Sequence, residues 1–302
     1  LAQSQSRHSP SASVMPAIAE LFVYPIKSCA GIALSRAQLL ETGLAYDRHW
    51  LITDPQGQML TQRTHPRLAL IRPTLEHDAL VLNAPGMPEI RTPLDGDATP
   101  ANPKMAATVW RDTVDAIDTG AETAAWFTEF LGLPTKLARF GADARRGCDR
   151  DWTSDIDTHT QFADAYPLLV IGQASLDDLN VRLTAKGAPA IPMNRFRPNI
   201  VVSDLDAYEE DFVEHLDARG ETPVRLRLVK LCTRCPMPTI DQVSGAPNPQ
   251  WPHEPTDTMQ TYRANPNYGG ALTFGINAIV VEGAGTWLEV GQWLEAEIGF
   301  GD

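Results

Sequence analysis

The chain has 302 residues, with 43% hydrophobic and 21% charged, enough for one large or two ordinary globular domains with a proper core. Its formal net charge is −13, from 25 basic and 38 acidic residues, the wrong balance for a nucleic-acid or anionic-membrane binder. No apolar run approaches the ~18–20 residues of a membrane span.

The first residues, "LAQSQSRHSPSASVMPAIAE", hold no apolar secretory region, and residues 1–16 read as a disordered tail. From 18 to about 110 the text is strand-like. "IAELFVYPIKS" and "RHWLITDPQGQMLTQR" carry β-branched and aromatic residues beside turn signals, and Asp54-Pro55-Gln56-Gly57 predicts a hairpin turn. Residues 92–104 are rich in Pro, Gly and Asp and predict a loop. Ala124, Phe127 and Leu131 recur at helical spacing, so a helix is expected over 121–131, stopped by Gly132 and Pro134.

Residues 139–161 are irregular and polar and mark a domain boundary, giving units of 17–140 and 141–302. Beyond it "YPLLVIG" reads as a buried strand. "ASLDDLNVRLTAKG" reads as a helix with Ser175 as N-cap, Leu176, Leu179 and Leu183 inside, and Gly187 as C-cap. "RPNIVVSD" and "VRLRLVKLC" follow as strands, and the last 30 residues as short strands with Gly turns. Many short strands and few helices predict barrel-like β architecture, mainly β in an α+β chain.

The cysteines are Cys29, Cys148, Cys232 and Cys235. With no signal segment they are expected to be reduced, in a cytoplasmic protein. Cys232 and Cys235 form a Cys-x-x-Cys followed at once by Pro236 and Pro238. A dithiol redox motif needs its first thiol at a helix N-terminus, which this proline-rich stretch opposes. Structural zinc needs four ligands, and the sequence offers no second pair. Cys232 closes an apolar strand pattern and reads as a core residue. Cys235 lies past the strand beside Arg234, where a cation favours thiolate, and suits a single soft-metal ligand.

Basic residues cluster at strand ends in this acidic chain: Lys27 with Ser28 in "YPIKSC", Arg48 in "YDRHW", and Arg195, Arg197 and Asn199 in "NRFRPN". Such donors together suit a phosphate-bearing group, while each alone reads better as an ordinary surface ion pair. His49 reads as outward-facing filler on a strand, and His159 as a linker residue that could approach a site. The run Arg145, Arg146 and Arg150 could dock an acidic electron donor, or be a solvated loop. Trp251, His253 and Tyr262, in a long Pro-rich stretch at 246–270, read as loop packing.

Six runs, "LFVYPIKSC.G", "GL.YDRHWLI.D..G.MLTQR..PRLALI", "FADAYPLLVI..ASL.DLN.RL", "M.RFRPNIVV", "CTRCPMPTID...G" and "FG.N..V...G...VG", together and in this order resemble the MOSC-domain proteins with an N-terminal MOSC-associated β-barrel domain. Among these the chain is most similar to the amidoxime-reducing components. The resemblance covers residues ~18–300, and it is the order of the six that makes it specific. It implies an N-terminal β-rich domain followed by a MOSC β-barrel with a few helices.

It also implies a molybdenum–molybdopterin cofactor whose metal takes one protein thiolate, here Cys235. Lys27, Ser28, Arg48, Arg197, Asn199, Thr233, Arg234 and Asn277 fall where the family contacts the pterin and its phosphate, with Asp164 and Tyr166 near the site. The implied chemistry is reduction of amidoximes, hydroxamic acids and N-hydroxylated bases. No iron–sulfur motif is present, so electrons are expected from a separate protein of ferredoxin, flavin or cytochrome type. The alternative is a sulfur carrier with a Cys235 persulfide, serving cofactor maturation; a third reading is a cofactor-storage protein without turnover. The chain departs from the family pattern at Gln242 and Ile276, both expected at the pocket lip.

Overall fold

The computed structural model describes residues 15–299; residues 1–14 of the expected tail lie outside the described residues. A large sheet runs Ile32–Leu34, Ala17–Val23, Ile200–Ser203, Leu168–Gly172, Ala271–Glu282, Val224–Thr233, Val213–Ala218 and Glu295–Ile298, with Ala264–Asn265 pairing off Ala271–Glu282. Its apolar residues alternate along half-buried strands: Val224, Leu226 and Leu228 face the core while the intervening Arg225 and Arg227 do not. The sheet curls on itself. Ala17 bridges Trp293, and the Leu294 amide donates to the Pro16 carbonyl at 2.8 Å. Leu21 from one end and Leu216 from the other share a core. Leu168–Gly172 and Ile200–Ser203 are parallel, joined through the helix Gln173–Ala185, as a parallel pair requires.

A second sheet runs Trp50–Thr53, Lys136–Phe140, Asp112–Asp118 and Lys104–Val109. The helix Ala121–Leu131 ends on Gly132 in the left-handed conformation, as its sequence predicts. Its buried face is Thr123, Trp126, Phe127 and Phe130, displaced from the Ala124–Leu131 stripe because the Trp ring and the two Phe rings bury more apolar area. At Asp54–Gly57 the Asp54 carboxylate accepts from the Gln56 and Gln58 amides at 2.9 Å, closing the expected turn.

The helix Gln173–Ala185 corrects both expected caps: Lys186 is its C-cap, and Gly187 follows with φ 88°. Gly172 is the N-cap, and Ser175 lies buried inside, donating to Glu210 Oε2 at 2.7 Å. At the other end Gly187 donates to the Thr184 carbonyl and Ala188 to the Leu183 carbonyl, the bonding pattern of a glycine-terminated helix.

Candidate functional site

Two strand ends and two loops converge beside the parallel pair. The chain crosses itself at residues 24–27 and 48–50: Arg48 N–H donates to the Tyr24 carbonyl, Trp50 to Pro25, and Lys27 to Trp50. That crossing sets Lys27, Ser28 and Arg48 side by side. The strand Val224–Thr233 ends there too, and the Arg234 amide donates to the Leu272 carbonyl at 2.8 Å. Pro236 opens a tight turn over Met237–Thr239, since its fixed φ cannot continue the strand. Cys235 is held half-buried between strand end and turn.

These elements line a cleft that opens to solvent, with a volume of about 120 Å³. Lys27, Ser28, Arg48, Asp164 and Tyr166 line it, as do Arg197, Asn199, Thr233, Arg234, Cys235 and Asn277, so all the candidate residues meet in one place. Arg63, Trp110 and Arg195 line it as well.

Its electrostatics are opposite to those of the whole chain. Six cations face the cleft: Lys27, Arg48, Arg63, Arg195, Arg197 and Arg234. Lys27 pairs with Asp164 at 2.6 Å, Arg48 with the buried Asp47 at 2.7 Å, and Arg195 with Asp241 at 2.9 Å. Among the described residues Arg63, Arg197 and Arg234 form no ion pair. Arg197 is only 7% exposed and its Nη2 has no partner. Burial, then the like charge of Arg48, lower its guanidinium from 12.5 to about 10, which leaves it cationic at neutral pH. A buried charged donor without an acceptor is costly unless something anionic meets it.

Arg197 and Arg234 are tied to backbone carbonyls, while Arg195 Nε is a second buried nitrogen without a partner. Arg197 Nη1 donates to the Cys29 carbonyl at 2.6 Å. Arg234 donates to the Phe274 carbonyl through Nε and Nη2, and through Nη1 to the Phe196 carbonyl. Arg48 and Arg197 both stack on the Tyr24 ring, at 4.3 and 4.2 Å. Asn199 braces this array: its Oδ1 accepts from the Leu169 amide and Arg48, and its Nδ2 donates to the Phe22 carbonyl. Asn277 likewise donates to the Lys230 carbonyl. Ser28, Arg48 and Arg197 all have φ between 47° and 70°, a left-handed conformation that side chains hold only under tertiary constraint and that gathers at functional sites.

Lys27 Nζ donates to the Phe162 carbonyl at 2.8 Å as well as to Asp164. Burial lowers the Lys27 ammonium, opposed by Asp164. Burial would raise the Asp164 carboxyl, but the Lys27 ammonium, the Trp110 indole N–H and Arg63 together hold it well below the usual range. Burial raises the Tyr166 phenol.

Several sequence expectations are corrected. Cys232 is only partly buried and lines the cleft, though its thiol is pushed up by burial. All four cysteines are free. Among the described residues the one cluster of three potential metal-ligating side chains is Glu214, His215 and Glu297, and it includes neither thiol. Arg146 is not a docking cation. It is 7% exposed, binds Asp112, and donates to the Gln161, Ala163 and Asp164 carbonyls. Its chain neighbours Arg145 and Arg150 both face Asp157. Gln242 and Ile276 do not line the cleft: Ile276 packs in the sheet core, and Gln242 joins Gln62, which donates to the Ser28 carbonyl at 2.7 Å. His49 packs edge-on against Trp50 and bonds Gln161. His159 lies in a two-residue strand; neither histidine lines the cleft. Tyr262 bonds Tyr208 through their hydroxyls, and Trp251 lines a separate groove.

Arg195 joins the cleft as one of the basic residues clustered in "NRFRPN", as that run suggests, whereas Arg63 follows Gln62 in "MLTQR" without a signal of its own. Trp110 carries no local signal, because it reaches the cleft only through the turn between Lys104–Val109 and Asp112–Asp118.

Comparison with known proteins accords with this geometry. Residues 15–134 match the MOSC N-terminal beta barrel domain and residues 157–295 the MOSC domain. The mitochondrial amidoxime-reducing component 1 of Mus musculus is 36% identical over 253 residues, 82% of this chain and 71% of that protein. Component 1 of Homo sapiens is 35% identical over 287 residues, 91% and 81%, and component 2 of Bos taurus 34% over 253 residues, 82% and 72%. Among the described residues no helix is long and apolar enough to cross a membrane. The chain belongs to the amidoxime-reducing component family of MOSC-domain proteins.

Proposed function

We propose that the chain is a molybdenum-cofactor enzyme that reduces N-hydroxylated compounds, amidoximes, hydroxamic acids and N-hydroxylated bases among them. The observation that carries this reading is three guanidiniums without carboxylate partners, one of them buried, gathered in one cleft with a half-buried thiol in a chain of net charge −13. The residues fit an anionic pterin carrying a soft metal. Arg197, with its free Nη2, Arg48, Arg234 and Lys27 supply positive charge; Ser28 and Thr233 supply hydroxyls; Asn199 and Asn277 brace their neighbours. Cys235 is the metal's protein ligand, as thiolate.

When bound, the cofactor supplies the two-electron reduction that, with two protons, converts an N–OH group to N–H and water. The protein contributes position and charge. Arg48 and Arg197 are fixed against the Tyr24 ring, so their charges need little rearrangement when an anion arrives. Asp164, kept ionised, accepts from Lys27 and Trp110 and fixes the cleft mouth. Residues from both expected units, 17–140 and 141–302, line the site, and that division is part of the proposal. The electrons come from a separate donor protein of ferredoxin, flavin or cytochrome type, and the location is cytoplasmic, although the named relatives are mitochondrial.

The test is conversion of benzamidoxime to benzamidine by the purified chain with a chemical reductant. Reductant-dependent turnover, abolished by Cys235→Ser, supports the proposal. No turnover and no molybdenum, with labile sulfur on Cys235, overturns it in favour of the sulfur carrier.

A further inference from the structure

Trp110 is unlike the rest of the cleft. It is the large aromatic side chain there with substantial exposure, 39%, and its backbone φ of 55° is one that a bulky side chain seldom adopts. Three groups hold its ring. The indole Nε1 donates to Asp164 Oδ1 at 3.0 Å, the Arg63 guanidinium lies 4.4 Å from the ring centroid, and Lys27 Nζ lies 6.0 Å from it. Asp164 is held in turn by Lys27. An exposed indole that is both hydrogen-bonded and stacked loses little freedom when a ligand arrives, which is what makes an aromatic anchor effective.

We infer that Trp110, supported by Arg63 and Asp164, forms a stacking subsite at the cleft mouth that selects planar, delocalised N-hydroxylated substrates over small aliphatic ones. The inference rests on the proposed function for its chemistry. The subsite's location does not depend on it, since the pinned and partly exposed ring is a property of this chain. Stacking rewards any flat π-face without reading its edges, so the subsite tolerates different heterocycles and aryl groups bearing the same N–OH. Arg63 and Lys27 beside the ring disfavour a substrate whose flat portion carries positive charge.

The experiment compares benzamidoxime with acetamidoxime, which share the reacting group and differ in the aryl ring. Holoenzyme is assayed with a chemical reductant for wild type, Trp110→Phe and Trp110→Leu, with molybdenum content and circular dichroism checked for each. The ratio of kcat/KM for benzamidoxime over acetamidoxime is expected to fall about tenfold in Trp110→Leu, chiefly through KM, the size of one stacking contact. Trp110→Phe keeps most of the preference. Independently of turnover, benzamidoxime quenches tryptophan fluorescence in wild type and the quench shrinks in Trp110→Phe. An unchanged ratio in folded, molybdenum-loaded Trp110→Leu overturns the subsite. If wild type turns over neither compound, the functional reading fails and the fluorescence titration decides the subsite by itself: a quench dependent on Trp110 supports it, and a quench equal in both proteins, or none, overturns it.

Discussion

Replacing Arg197 by Met separates a ligand-binding arginine from a structural one. The folded state lowers this guanidinium from 12.5 to about 10. At 1.36 kcal/mol per pH unit, the charged form costs the apoprotein about 3 kcal/mol. The sign follows from a base whose folded pKa is depressed: the cost is fully present below about pH 10 and fades only between there and 12.5, so it applies undiminished at pH 7. Against it stand the bond from Nη1 to the Cys29 carbonyl, worth about 2 kcal/mol for a charged donor, and the stack on Tyr24, worth about 1 kcal/mol. These terms nearly cancel. Methionine fills similar volume without charge, so the urea midpoint of the apoprotein is expected to stay within about 1 kcal/mol of wild type. Pterin content after purification should fall at least tenfold, because the unpartnered Nη2 has lost its purpose. A loss of 3 kcal/mol or more with unchanged pterin content would refute the argument and make Arg197 a scaffold residue.

Gln62→Leu should cost about 1–3 kcal/mol, since it leaves the Ser28 carbonyl and the Gln242 Oε1 buried without partners, the Gln242 Nε2 keeping the Ile240 carbonyl. Adding Gln242→Leu should cost less than the sum of the single changes, and chemical unfolding of all three variants measures the coupling. Gly31→Ala places a methyl 2.4 Å from Tyr24 Cε1. With that ring buried and already in contact with two guanidiniums, an overpacking cost of about 1–3 kcal/mol is expected from thermal unfolding. Arg146→Leu unties the carbonyls of residues 161, 163 and 164 and leaves them unpaired, so hydrogen exchange in 161–166 should rise well beyond any global loss of stability. The depressed Asp164 carboxyl contributes stability that is present above its ordinary pKa of 3.8 and lost only as pH falls below it. The Trp110 fluorescence contribution, taken as wild type minus Trp110→Phe, should therefore be flat from pH 5 to 8 and change only in stronger acid; a transition near pH 6 would contradict the pairing.

Much of the fold was legible because its signals are local. Gly132, Gly187 and the Asp54 turn are set by backbone conformations that few residues satisfy. Ser175 misled because a Ser ahead of an apolar stripe is the usual cap signature, and here Glu210, 35 residues away, takes its hydroxyl into the core. The cleft's cationic members could be picked out one by one as basic residues at strand ends. Their convergence, and the choice of metal, came from the resemblance among six ordered runs rather than from spacing. Arg146 looked like one of three loop cations, and only the fold reveals that it faces inward. Trp110 was illegible for the same reason: its partners, Asp164 and Arg63, lie about 50 residues away on either side.

The central claim is that Cys235 holds the metal while the arginines hold the pterin. The direct measurement is molybdenum and pterin content, by mass spectrometry, of wild type, Cys235→Ser and Cys232→Ser made in a host with intact molybdenum-cofactor synthesis. Near-stoichiometric molybdenum in wild type and Cys232→Ser, with a sharply reduced molybdenum-to-pterin ratio in Cys235→Ser alone, is the predicted result. Equal molybdenum in both serine variants, or stoichiometric zinc lost with either cysteine, would contradict it.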